Sequence, residues 1–181
     1  MNLLRLKLMR REGMRRLQDA EALSGLQDAD AMSGLLDSDG MSDSHYLLRL
    51  LALELLLKCL CLASGCDAKK VRGHNYDVLF QTLPEPTKEE LLRLAKSRLG
   101  RPTGLTGNLH SILGELSANF IDLRYPYEKY ESLDERRYVE LGDKWIAEGA
   151  PLEKATFRYH SEELFGLTYA LVELTRQFEW D

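Results

Sequence analysis

One stretch of the chain constrains the fold more than any other, because residues 45–63 are apolar on almost every side. A helix that is hydrophobic around its whole circumference belongs in the interior of a protein. Arg49, Glu54 and Lys58 are the charges that interrupt this stretch. With these charges the stretch is too polar to span a bilayer, and it is also too short to do so. Glu54 precedes Lys58 by four residues, which places both on one helix face. The stretch therefore predicts a buried axial helix that carries an ion pair.

The segments around this helix also have helical periodicity. Apolar residues recur every three or four positions over 109–123, and Ser161 is predicted to cap a last helix that runs to about residue 178. Long helices joined by short loops around a buried one predict an all-α, up-and-down helical bundle. Segments 136–139 and 155–159 have the composition of short strands, so one small two-stranded element could pair there.

Length and charge limit the class of protein. A chain of 181 residues is predicted to form a single domain, 1–181, and can bury a core without metals or disulfides. Its 24 basic and 29 acidic residues give a net charge of −5, which argues against a generally cationic nucleic-acid binder. A local basic patch remains compatible with this balance.

Charge is divided along the beginning of the chain. Residues 1–16 carry six Arg or Lys residues and one Glu, a basic strip that suits RNA phosphates, a solvated helix face or an acidic partner surface. The following residues, 17–43, form three copies of an acidic nonapeptide repeat that begin at Leu17, Leu26 and Leu35. We expect the repeat segment to form a solvated acidic surface.

The cysteines and the N-terminus predict a compartment. Cys59, Cys61 and Cys66 lie within eight positions, and an odd number of cysteines in a chain without a recognisable signal peptide indicates reduced thiols. A zinc site would need a second ligand pair, so we predict no metal and no cofactor. The chain is expected to be a cytoplasmic protein of a prokaryotic cell, without a membrane association.

Four pieces of sequence resemble the HEPN family, named for the higher eukaryotes and prokaryotes nucleotide-binding domain. They are Arg16-Leu-Gln-Asp-Ala20, Ala52-Leu-Glu-Leu-Leu-Leu-Lys58, Gly73-His-Asn-Tyr-Asp77 and Phe120-Ile-Asp-Leu-Arg-Tyr-Pro-Tyr-Glu128. In this order they cover roughly residues 14–178. The resemblance implies a helical bundle that commonly dimerises, in a family linked to RNA cleavage, toxin–antitoxin pairs and antiviral defence.

The ribonucleases of this family carry an Arg followed by four to six residues and then a His. None of His45, His74, His110 and His160 has an Arg five to seven positions upstream. The chain therefore departs from the catalytic pattern, and we expect binding without catalysis; ribonuclease activity is the enzymatic alternative that the resemblance implies.

Two groups of residues are candidates for a nucleotide or RNA site. His74 follows the cation-rich loop that contains Arg72, and its imidazole suits phosphate binding or acid–base work. The alternative is a structural role for His74, in which it joins Glu54 and Lys58 in a polar cluster. Arg124, Tyr127 and Glu128 can hold a nucleotide by guanidinium contact and stacking, or lock a helix end through an Arg124–Glu128 ion pair.

Two functional hypotheses follow from these residues. The first is a HEPN-like RNA- or nucleotide-binding protein of a defence or toxin–antitoxin system, with Arg72, His74, Arg124, Tyr127 and Glu128 as its candidate site. The second is a catalytically silent module for dimerisation or partner binding. Both include a homodimer, and a nucleotidyltransferase-like protein is the partner that the resemblance implies.

Overall fold

The computed structural model describes residues 3–33 and 43–178, and these residues form an all-α helical bundle. The α-helices are α1 (Leu3–Ser33), α2 (Ser44–Ala63), α3 (Tyr76–Gln81), α4 (Glu85–Leu99), α5 (Leu109–Asp122), α6 (Glu135–Ala147) and α7 (Ser161–Arg176). Three short 3₁₀ helices lie at Gly104–Thr106, Pro126–Tyr130 and Leu152–Lys154. The prediction of an all-α bundle is confirmed.

Helix α2 is the axis of the core, as its composition predicts. No residue from 45 to 63 is exposed, and Leu50 and Leu56, which lie about 120° apart around the helix, are completely buried. Helix α1 runs antiparallel along one side, where the Cys59 thiol reaches the backbone oxygen of Leu6 at 3.6 Å and Gly13 lies directly against Leu56. A glycine at this crossing lets the two helix backbones approach closely.

The other helices cover the remaining sides of α2. Helices α3, α5 and α7 pack directly on it, and α4 packs on α7. The α4–α7 contact is close because Gly166 of α7 lies against Leu99 and the backbone oxygen of Ala95. This arrangement leaves α6 outside the core, and none of its residues is buried.

The prediction of a strand pair at 136–139 and 155–159 was wrong. Residues 136–139 belong to α6, whose N-terminus is capped by the Asp134 carboxylate, an acceptor for the backbone N–H of Arg137 at 2.8 Å. Residues 155–159 are irregular, and the described ranges contain no strand. A side-chain cap of this kind satisfies an otherwise unpaired helical N–H and so favours helix over strand.

The acidic repeat begins inside α1. The first copy, 17–25, is entirely helical, and the helix continues into the second copy as far as Ser33. The third copy, 35–43, lies outside the described residues except for Asp43. The expectation of a solvated acidic surface over the whole segment stays a prediction.

Candidate functional site

The polar side chains predicted on α2 meet His74 inside the bundle. Lys58 donates from Nζ to one carboxylate oxygen of Glu54 at 2.7 Å, and His74 Nδ1 lies 2.8 Å from the other. The Glu54 side chain is 6% exposed, that of Lys58 16% and that of His74 50%. A buried carboxylate is tolerated because both of its oxygens are paired, and the imidazole continues the polar path to the surface.

The loop between α2 and α3 holds His74 in place. Gly73 precedes it with a φ of +74°, a conformation that residues with a side chain rarely adopt. Asn75 follows it and caps α3 by accepting a hydrogen bond from the backbone N–H of Val78 at 3.0 Å. Tyr76 donates its backbone N–H to Ser117 and its hydroxyl to the Leu50 backbone oxygen, so the start of α3 is fastened to both α5 and α2.

Arg124 reaches the same position from the end of α5. The guanidinium carbon of Arg124 lies 4.8 Å from the ring centroid of Phe120, and the His74 ring lies 5.3 Å from the same centroid. We call these three residues the His74 face. Phe120 is buried, whereas His74 and Arg124 are exposed, so the imidazole and the guanidinium form the accessible part of the face.

The other candidates of the predicted site are separate from this face. Tyr127 is exposed and packs edge-on against Tyr125, with ring centroids 6.2 Å apart. Glu128 is exposed and forms no ion pair with Arg124, so the buried pair considered as an alternative is absent within the described residues. Arg72 is exposed in the loop two residues before His74.

The helix–loop junction before α7 holds a polar cluster that sequence reasoning missed. Glu115 accepts hydrogen bonds from Ser111 at 3.0 Å and from Arg158 at 3.1 Å, and His160 Nε2 lies 2.7 Å from its second oxygen. Burial alone would raise the pKa of Glu115, but the hydrogen bonds from His160 and Ser111 outweigh it and hold the pKa below its ordinary value. These residues line a cleft of about 540 Å³.

This cluster has the chemistry of a structural ion network. Both oxygens of the Glu115 carboxylate accept hydrogen bonds, and its lowered pKa makes it a weaker base. In the sequence, only the Ser111–Glu115 spacing of four residues signals a contact, since His160 lies 45 residues from Glu115. No local pattern connects those two residues.

The thiols offer neither a metal site nor a reactive group. Burial raises the pKa of Cys59 and that of Cys61 to about 11, so both are protonated at neutral pH. The Cys66 thiol donates to the backbone oxygen of Thr82 at 3.1 Å. Within residues 3–33 and 43–178, no three His, Cys, Asp or Glu side chains are placed to share a metal ion.

Comparison with known proteins assigns no function to this chain, so the geometry of the described residues is the basis for the proposal below. No family model, curated protein or solved structure matches this chain. None of the helices in the described ranges has both the length and the apolar character needed to cross a membrane.

Proposed function

We propose that this protein binds RNA or a nucleotide through the His74 face, as a HEPN-like bundle without the family's catalytic motif. The observation that carries the proposal is the convergence of His74 and Arg124 on the Phe120 ring, from residues that are 50 positions apart in the sequence. An exposed guanidinium and an exposed imidazole held against one aromatic ring suit a phosphate group and the base beside it.

The charge pairing around the face supports an anionic ligand. The hydrogen bond to Glu54 occupies His74 Nδ1, which leaves Nε2 for a ligand. Arg124 has no carboxylate partner in the described part of the chain, so its guanidinium donors are available to phosphate oxygens. Arg72 lies two residues before His74 and Tyr127 three residues after Arg124; both are exposed, and we include them as a further cation and a stacking surface for a ligand that extends beyond the His74 face.

The proposal includes binding but no cleavage step. Its biological setting follows from the HEPN resemblance: a prokaryotic cytoplasmic protein in a defence or toxin–antitoxin system, with a nucleotidyltransferase-like partner. Glu128 stays in the candidate site as the acidic neighbour of Tyr127.

Fluorescence anisotropy with a labelled single-stranded RNA tests the His74 face. Arg124→Gln is expected to weaken binding about tenfold or more and to reduce the salt slope by about one, because one charge-assisted phosphate contact is lost. His74→Gln is expected to weaken binding while keeping the hydrogen bond to Glu54.

Arg93→Gln is the matched control, since Arg93 is an exposed arginine already paired with Glu90 at 2.6 Å. Its RNA affinity should equal that of the wild type. Equal RNA affinity for Arg124→Gln, His74→Gln and the wild type would contradict the proposal.

The exposed apolar side chains of helix α6 favour a second function, association with another copy of the chain. Its side chains Tyr138, Val139, Leu141 and Ile146 are each about half exposed or more, although helices normally bury their apolar face. They border a cleft of about 500 Å³ that is also lined by Trp145 and Phe157.

The charges of α6 indicate what covers this surface. The helix carries three acidic residues, Glu135, Glu140 and Asp143, and three basic ones, Arg136, Arg137 and Lys144. A helix without net charge gains no electrostatic attraction to an anionic nucleic acid, and two identical copies can meet through its apolar face without net repulsion. We propose a two-fold dimer, the commonest closed assembly, with α6 at its interface.

Light scattering of paired variants tests the dimer. The wild type should have twice the 20.7 kDa mass of the chain, and Val139→Glu should have the monomer mass because a charge is buried in the interface. Val78→Glu, at a site with nearly the same exposure on α3, should remain dimeric. A wild type that is monomeric at micromolar concentration excludes this assembly.

A further inference from the structure

A small polar pocket lies on the opposite side of α2 from the contact with α3, where α1, α2 and the beginning of α7 meet. It has a volume of about 250 Å³. Its polar lining consists of Ser24 from α1, His45, Tyr46 and Arg49 from α2, and Ser161 from α7. We call it the Arg49 pocket, and it shares no residue with the His74 face.

Several polar groups of this pocket lack a protein partner. The Nδ1 atom of His45 and the hydroxyl of Tyr46 are buried without a hydrogen bond, and Tyr46 is only 3% exposed. The Asn119 side chain and the His160 backbone approach that hydroxyl without reaching hydrogen-bonding geometry. Buried polar atoms in folded proteins are rarely left unpaired, since each costs free energy. Two neighbouring ones in a pocket indicate a missing ligand.

The pocket contains a guanidinium group without an ion-pair partner among the described side chains. Arg49 is partly buried, and no carboxylate of residues 3–25 or 43–178 forms an ion pair with it. The two carboxylates that act on Tyr46 are otherwise engaged: Asp43 accepts from the Tyr159 hydroxyl at 3.0 Å, and Glu163 accepts from the Gly104 backbone N–H at 3.1 Å. An unpaired guanidinium in a pocket is a ready partner for an anion.

The beginning of α7 adds further donors. Ser161 was predicted to cap this helix, but His160 occupies the cap position and no side chain accepts a hydrogen bond there. The first backbone N–H groups of a 16-residue helix are therefore unpaired by a side-chain cap, in a first turn that also carries Glu162, paired with Arg101, and Glu163, which accepts from Gly104 N–H. Burial raises the pKa of Tyr46, so its hydroxyl stays protonated and can donate as well.

We propose that the Arg49 pocket binds a phosphoryl group, with the Arg49 guanidinium as the main charged contact and the Tyr46 hydroxyl and Ser161 as hydrogen-bonding partners. The volume of about 250 Å³ suits one phosphoryl group. The ligand is therefore free phosphate or the terminal phosphate of a larger molecule that extends out of the pocket. This site goes beyond RNA binding at the His74 face and does not depend on it.

Isothermal titration calorimetry with the full chain tests the pocket, with inorganic phosphate and a nucleoside 5′-monophosphate as separate ligands. Arg49→Gln is expected to weaken phosphate binding about tenfold or more, because a charge-assisted contact is lost. Tyr46→Phe should weaken it less. Arg11→Gln, which removes an exposed arginine of α1 outside the pocket, is the matched control and should bind as the wild type does.

The two ligands distinguish the two sources of the phosphoryl group. The comparison is made with Arg124→Gln, in which the His74 face is weakened. Equal affinity of this variant for both ligands indicates that the pocket holds the phosphoryl group alone, whereas tighter binding of the monophosphate indicates a larger molecule. The Arg124→Gln variant should bind phosphate in the Arg49 pocket as tightly as the wild type does. The RNA-binding test of the His74 face and the phosphate-binding test of this pocket can therefore fail independently.

Two results would overturn the proposal. One is an Arg49→Gln protein that melts as the wild type does and binds phosphate with equal affinity. The other is an amide NMR spectrum of the wild type in which phosphate leaves the signals of His45, Arg49 and Ser161 unmoved. The NMR measurement keeps the test decisive even where a substitution unfolds the chain.

Discussion

Replacing Lys58 by methionine is expected to destabilise the protein by about 3 to 5 kcal/mol, the usual cost of removing one partner from a buried ion pair. Lys58 and Glu54 are both largely buried, so the substitution leaves a carboxylate in the core whose remaining partner is the half-exposed His74. Urea denaturation followed by circular dichroism measures the loss.

The double variant Glu54→Leu with Lys58→Met should recover much of that stability, because no unpaired charge remains in the core. Lys88→Met is the matched control: Lys88 is as buried as Lys58, but its partner Glu85 is 70% exposed, so the change should be within about 1 kcal/mol. If the single and double variants both melt with the wild type, the ion pair does not contribute to stability.

Truncating leucines on either side of α2 is expected to have an effect of similar size. Leu50→Ala and Leu56→Ala should each cost about 2 to 5 kcal/mol, since both side chains are fully buried and alanine leaves a cavity. Both losses should appear in the urea midpoint. If α2 were an amphipathic surface helix, a leucine-to-alanine substitution would destabilise the protein only on the buried side of the helix.

Leu4→Ala is the control for these truncations. Leu4 is 64% exposed on α1, so its removal should change stability by less than about 0.5 kcal/mol. A small effect at either Leu50 or Leu56 would show that α2 is not enclosed on that side.

The candidate site shows how far sequence patterns reach. The four-residue spacing of Glu54 and Lys58 is sufficient to place them together on α2, since a helix repeats every 3.6 residues. His74 was expected beside them because few residues separate it from the end of that helix. Its approach to Phe120 and Arg124, however, depends on how α5 packs on α2 and α3, which no local spacing encodes.

Helix α6 shows a limit of a different kind. The sequence around 136–139 has strand-like composition, yet a cap from Asp134 and an Arg136–Glu140 contact of 2.8 Å accompany a helix there. Local interactions of both kinds were present in the sequence, and Tyr138, Leu141 and Ile146 recur at helical spacing along one face. The prediction gave more weight to the short aromatic and β-branched run than to this spacing.

The sequence by itself determined that α2 is buried, because its leucines leave no polar face for water, and that the chain is an all-α bundle around it. Only the tertiary structure decided which distant residues share a site. Glu115 meets His160 across 45 residues, and Arg49 meets Ser161 at the Arg49 pocket, because helix packing joins them. Periodicity reports on neighbours within about one helical turn, whereas these contacts depend on loop closure and on the packing of whole helices.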